Sequence, residues 1–295
     1  NHYLDQFLSQ TDYLTAIEKW THDLLEEVKG IADGSGQTFE SILGLQLMDE
    51  EWTFGLRHCL DKPTTKCTAF AVPNQLDGIS FAGQNMDIPS WAEGNQVLLR
   101  VTPTETSPEA MIFSIAGSIG LNGLNASGLG VTCNTLAQLN DSTHGLPVLF
   151  IMRSLLEKQS IDEAEQFLHS IPHASGQNYI LSSSDDMRCF ECSTTSVVRY
   201  VPEKLNGRVF HSNHPLVNKD GSNLSELASD HAKNSVARLD SICNRLGDVT
   251  QVQTLDDIKA ALAAHDDPDN PVSRVINVEN IRNSIGYTAG SSIYE

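Results

Sequence analysis

The chain has 295 residues, of which 38 are acidic and 19 basic, for a formal net charge of -19. Such a surface repels nucleic acid and anionic lipid. With 40% hydrophobic residues and no apolar run approaching a membrane-spanning length, no transmembrane segment is expected. Six cysteines are too dilute for a disulfide scaffold, which points to reduced thiols in a cytoplasm; the opening NHYLDQFLSQTDY carries no apolar signal core, but the chain starts without Met, so secretion stays open.

Leu4, Leu8, Leu14, Ile17, Leu24, Val28 and Ile31 recur at three- and four-residue steps, which predicts helix over 4–31 with one break near Thr11–Asp12. Gly34 and Gly36 stop it. A second helix is expected from Phe39 to about Asp49, N-capped by Thr38 but without a capping box, since Ser41 stands where Glu or Gln would complete one. From Cys67 the texture changes to short apolar runs, read as strands at 67–72, 79–83, 96–102, 110–115 and 129–133. The Gly/Asn-rich stretch 117–130 reads as loop and lacks the GxGxxG spacing of a nucleotide site. Helix is expected over 147–169, strands at 177–182, 187–193, 195–201 and 207–212, and amphipathic helices at 223–246 and 255–264. Alternating blocks of helices and strands imply a layered α/β or α+β domain. The closing GSSIYE reads as the start of a strand, with one more strand expected after it.

Cys67 opens the first strand, and Asp87 follows the second, across the polar turn Pro73–Gly78. An antiparallel hairpin would bring both to one end. By itself Cys67 would be a small buried hydrophobe. A carboxylate beside a strand-initial thiol adds little packing, yet it would serve an α-amino group if the chain were cut before Cys67. An α-amine titrates near about 7.7–8.0 and a thiol near about 8.5, so one residue could supply nucleophile and base together. Attack on an amide carbonyl then develops an oxyanion that needs fixed donors. A rival constellation is Cys189, Cys192, His211 and His214, four donors of the kind zinc takes, although residues 189 and 192 of one strand point to opposite faces. His144 and His173 read as solvated surface, and the sequons at Asn125, Asn140 and Asn223 as chance triplets.

Six segments fall in one order: EEVKGIADGSGQTFESILGLQLMDEEW, KCTAFA, GQNMDIP, GLNASGLGVTCNTL, HSNHPL and NSVARLDSI. Together they resemble the acyl-coenzyme A:6-aminopenicillanic acid acyltransferase family, related to the choloylglycine and penicillin V hydrolases among the N-terminal-nucleophile (Ntn) amidases. The resemblance spans about residues 22 to 295. It implies an α+β fold, a four-layer αββα sandwich, with 1–66 as a helical propeptide or α subunit and 67–295 as a catalytic core short of its last strand. It also implies autoproteolysis before Cys67 and cleavage of a linear amide through a cysteinyl acyl-enzyme. By residue, it assigns Cys67 as nucleophile, Asp87 as the carboxylate orienting the new amine, and Asn134 as oxyanion donor. Asn213 is placed near the scissile amide, and Arg238 as the cation favouring thiolate. Read singly, Asn134 is a turn residue, Asn213 a loop asparagine and Arg238 a solvated helix charge. The expected partner is a small acyl amide, with no cofactor, metal, nucleic acid or membrane; homo-oligomerisation is left open. The pattern departs at Lys66, where relatives commonly carry Gly, whose permissive backbone suits an N-to-S acyl shift. That departure keeps an uncut, inactive binding protein as an alternative.

Overall fold

A computed structural model of the chain describes residues 2–57, 66–73, 79–221, 229–276 and 286–295. It opens with helices α1 (His2–Ser9), α2 (Tyr13–Trp20), α3 (His22–Ser35), α4 (Phe39–Gln46) and α5 (Met48–Arg57). The strands β1 (Lys66–Val72), β2 (Phe81–Ile88), β3 (Gln96–Val101), β4 (Ala110–Ile115), β5 (Asn122–Asn125) and β6 (Gly130–Thr135) follow. Helices α6 (Val148–Leu155) and α7 (Ile161–Ser170) separate these from β7 (Gln177–Ser182), β8 (Met187–Cys192), β9 (Val197–Tyr200) and β10 (Val209–His211). The chain ends with α8 (Ser229–Leu246), α9 (Leu255–Leu262) and β11 (Tyr287–Tyr294).

The strands build two antiparallel sheets, one in the order β10-β1-β2-β11 and the other running β3 to β9 in sequence order. Alternation along β1 decides how they stack. Ala69 and Ala71, small side chains that let the sheets approach, face the second sheet and meet its Ile180 and Cys189, with Val209 of neighbouring β10 in the same cluster. Phe70 and Val72 face away and pack with Ile242, Leu246, Ile258 and Leu262 of α8 and α9. The far face of the second sheet presents Val131, Tyr179, Leu181 and Phe190 to a core completed by α6, α7 and the N-terminal helices. The result is the expected αββα stack. No helix among the described residues is long and apolar enough to cross a membrane.

Several boundaries differ from the sequence reading, each for a local reason. The helix expected over 4–31 breaks near Thr11–Asp12 as anticipated, and again at Thr21, whose hydroxyl bonds the Ile17 carbonyl at 3.0 Å. Thr38 does cap α4, accepting from the Ser41 amide at 3.2 Å, but the helix stops at Gln46 and α5 begins at Met48. The expected helix 147–169 is two helices, the second capped by Ser160. The stretch 117–130 contains β5, because Asn122 to Asn125 pair with their neighbours in the sheet. The largest correction concerns β2, which runs through the polar cluster to Ile88 and is buried at every position. Its polar side chains are satisfied across the layers: the Asn85 amide donates to the Leu262 carbonyl at 2.8 Å and the Val272 carbonyl at 3.1 Å. The residues GSSIY belong to the body of β11, already begun at Tyr287, and they pair with β2 where Gly83 leaves room for the Ser292 carbonyl. The turn expected at 74–78, residues 58–65 with Cys59, the sequon at Asn223 and the expected start of the helix at 223–228 lie outside the described residues.

Candidate active site

Cys67 is the second residue of β1. It pairs with Met86, which leaves Lys66 opposite Asp87, so thiol and carboxylate share one end of the hairpin. The residue is 4% exposed. Its amide donates to Asn213 Oδ1 at 2.7 Å, its carbonyl accepts from Arg238 Nη1 at 2.5 Å, and its Sγ lies 3.5 Å from Met86 Sδ. Thr68 turns toward α8, and there Arg238 donates to its hydroxyl at 2.8 Å. The same guanidinium donates to Asn213 Oδ1 at 2.9 Å and to Asn234 Oδ1 at 2.9 Å. Cys67, Asn213 and Arg238 therefore form one buried network, with Arg238 fully enclosed rather than solvated.

Asn213 follows β10 in a tightly held loop. Its amide donates to Ser235 Oγ at 2.7 Å and its Nδ2 to the Thr135 carbonyl at 3.0 Å. The next residues are gripped by Glu191 of β8, whose buried carboxylate accepts from the amides of Leu216, Val217 and Asn218 and lies 2.9 Å from His211 Nε2. Composition offers no hint of this grip, because Glu191 looks like any strand-face acid.

Asp87 is 1% exposed and accepts from the Thr288 hydroxyl of β11 at 2.6 Å. Asn134 is fully buried. Its flanking residues Cys133 and Thr135 line the cavity described below, so its own side chain turns to the opposite strand face, into the layer between the sheets. There it accepts from Asn178 Nδ2 at 2.9 Å, and its Nδ2 has no hydrogen-bond partner among the described residues.

The charges at the site pull against each other. Burial first, and then the Asp87 carboxylate, push the Cys67 thiol up to about 12, against a smaller opposing pull from Arg238. Burial lowers Arg238 to about 10, with Asp87 acting to hold its proton. In the uncut chain the thiol thus keeps its proton at neutral pH.

Cys67 opens on a cavity of about 360 Å³. Its walls are largely apolar and come from both parts of the chain: Leu4 of α1, Leu45 of α4, Met48 and Trp52 of α5, Trp91, and Leu149 of α6. Asp49, unremarked in the sequence, also lines it and accepts from Thr135 Oγ1 at 2.6 Å and Gln177 Nε2 at 2.8 Å. Burial raises its pKa. Its position in the first turn of α5, a common place for an acid, conceals this role.

The zinc reading does not hold. Cys189 and Cys192 belong to different core clusters on opposite sheet faces. Cys189 Sγ lies 2.8 Å from Asn178 Oδ1, His211 Nε2 contacts Glu191, and His214 Nδ1 lies 2.7 Å from Ser235 Oγ. The four side chains serve four separate contacts, and no metal-ligating cluster occurs among the described residues. His144 is exposed as expected, but His173 is 2% exposed, held at 2.9 Å from the Leu168 carbonyl, with burial lowering it to about 4. The sequon asparagines Asn125 and Asn140 spend their amides inside the structure, on the Leu156 and Lys158 carbonyls and on Asp220.

Residues 74–289 match the family described as acyl-coenzyme A:6-aminopenicillanic acid acyl-transferase. No curated protein matches by sequence. Among solved structures, the Caenorhabditis elegans N-acylethanolamine-hydrolyzing acid amidase ortholog is similar at a TM-score of 0.52 and 15% identity, over 77% of this chain and 92% of that one. A single-residue variant of conjugated bile acid hydrolase from Clostridium perfringens is similar at 0.49 and 13%, over 77% and 85%. Penicillin V acylase from Agrobacterium tumefaciens is similar at 0.43 and 12%, over 70% and 78%.

Proposed function

The chain belongs to the acyl-coenzyme A:6-aminopenicillanic acid acyl-transferase family, and from that premise we propose an amidase or acyltransferase in which Cys67 becomes an N-terminal nucleophile and cleaves a linear amide. The observation that carries this reading is the seating of Cys67. Its thiol opens on an apolar cavity while Asn213 and Arg238 hold its backbone from the opposite side.

Maturation begins when Cys67 Sγ attacks the Lys66 carbonyl carbon. The Lys66–Cys67 C–N bond breaks, the Cys67 nitrogen takes the thiol proton, and a thioester joins the two segments. Water hydrolyses it, releasing the Lys66 carboxylate and a free thiol that now shares its residue with an α-amine. In turnover this amine takes the thiol proton and the thiolate attacks the substrate carbonyl. The family pattern proposes Asn134 as donor to the oxyanion: its Nδ2 is unpartnered among the described residues, and to serve there the side chain must turn from the layer between the sheets toward the cavity. The C–N bond then breaks, the leaving amine takes the proton, and water or an acceptor amine resolves the thioester. Asp87 orients the ammonium form, and Arg238 favours thiolate while fixing the strand beneath it.

Lys66 favours a second reading, an uncut chain that binds acyl amides without turning them over. Intact mass spectrometry of fresh and aged protein separates the two. The first gives fragments of 66 and 229 residues that depend on the Cys67 thiol, followed by turnover on an acyl-amide panel. A wild-type chain cut elsewhere, or a Cys67→Ala chain cut normally, removes the proposal.

A further inference from the structure

We infer that the cavity accepts acyl amides whose non-acyl half is neutral or cationic and rejects anionic ones, with Asp49 setting the preference; this rests on the amidase reading above. The cavity wall carries Asp49, Glu51 and Asp87, and no Lys, Arg or His among its described residues. Arg238, the cation that acts on Cys67, is committed to the Cys67 carbonyl, Thr68, Asn213 and Asn234.

Asp49 is the decisive group. The two donors at its Oδ2, Thr135 and Gln177, are uncharged; they act to keep the carboxyl ionised against the burial that raises its pKa, and they bring no compensating charge. No ion pair involves it among the described residues. Burial is the main cause that raises the thiols of Cys67 and Cys133, and Asp49 adds to it at both, so its field reaches the place where thiolate and oxyanion develop. Apolar walls screen that field poorly. A substrate carboxylate or sulfonate in this cavity would add a further negative charge beside the reacting atoms with no cation to meet it, and like-charge juxtaposition is a common device for rejecting a ligand. An ammonium, amide N–H or hydroxyl would instead donate to Asp49.

The test uses three probes with one acyl chain: N-octanoyl-ethylenediamine, N-octanoyl-propylamine and N-octanoyl-glycine, which are cationic, neutral and anionic at pH 7. Calorimetry on the full-length Cys67→Ala chain reads binding without turnover, and kcat/KM on cut wild-type protein reads catalysis. The glycine conjugate should bind about tenfold more weakly than the propylamide, or worse. Asp49→Asn should narrow that gap, and Asp49→Glu should retain it. Equal affinity of the wild-type cavity for the glycine conjugate overturns the inference whatever the variants do. So does a gap that Asp49→Asn leaves intact. Ordered binding together with no turnover by wild-type protein upholds charge selection while removing the amidase reading.

Discussion

At Cys67 a single side chain meets two opposed requirements. Its thiol must be enclosed in an apolar cavity, and enclosure holds its proton with a pKa pushed up to about 12. A freed α-ammonium on the same residue would reverse that balance by favouring thiolate. In uncut protein, iodoacetamide should therefore label Cys243, which is partly exposed and raised only to about 11, ahead of Cys67. In cut protein Cys67 should overtake it. Arg238→Leu should move Cys67 labelling to higher pH, since the lost cation favoured the thiolate. A pH profile of alkylation by peptide mass spectrometry reads all three, and a Cys67 no faster after cutting would mark it as a packed core thiol. Asn134 carries a second prediction at this scale. Asn134→Ala should lower turnover roughly 100- to 1,000-fold if its Nδ2 serves the oxyanion. It should also cost about 1–3 kcal/mol of stability, because Asn178 loses its acceptor. Full activity measured in a folded Asn134→Ala protein would exclude the role.

Among the elements, the β1–β2 hairpin shows what could be read beforehand and what could not. The run from Cys67 to Val72 announces a strand, and the 67-to-87 spacing announces a hairpin that brings thiol and carboxylate together. The extent of β2 was hidden, since Gln84, Asn85 and Asp87 look like loop residues until backbone carbonyls of other layers and a hydroxyl of neighbouring β11 satisfy them. The same holds for β5, built from Asn and Gly, and for Asp49 and Glu191, whose roles depend on partners far away in the chain. The helix breaks at Thr21 and Leu47 fall inside continuous apolar periodicity, which records buried faces but not where the axis turns. Lys66 is the departure that the sequence does display, and it heads β1 opposite Asp87. If backbone strain there limits the acyl shift, Lys66→Gly should speed cleavage, followed as the disappearance of full-length chain on denaturing gels. An unchanged rate would place the limit elsewhere.

At the scale of the whole molecule, buried titratable groups shape how stability responds to pH. Burial, reinforced by neighbouring Asp49, raises Glu50 from 4.5 to about 8, while its carboxyl accepts from Ser175 and Val148. Between those values the folded chain keeps a proton that the unfolded chain has released, so this contribution falls as pH rises. Burial lowers His173 and His214 from 6.5 to about 4. Below pH 6.5 the unfolded chain binds protons that the folded one refuses, so their contribution is lost as pH falls toward 4. Above pH 6.5 the histidine contribution levels off as the unfolded imidazoles finish losing their protons, while Glu50 titrates toward 8, so Glu50→Gln should lose less Tm across that interval than wild type. Equal slopes in thermal melts would show that Glu50 is not the source. Contacts such as Glu50 with Ser175, Gln46 with Gly117 and Glu27 with Arg153 of α6 tie the first helices to the rest of the fold through side chains. Cys67 sits on β1, whereas much of the cavity wall comes from α1, α4 and α5. Mutations in those helices can reshape which acyl groups fit while the strand bearing the thiol stays untouched. On the reading proposed above, chemistry and taste for substrate are heritable apart, and grafting the first five helices of one relative onto the sheets of another offers a direct route to new selectivity.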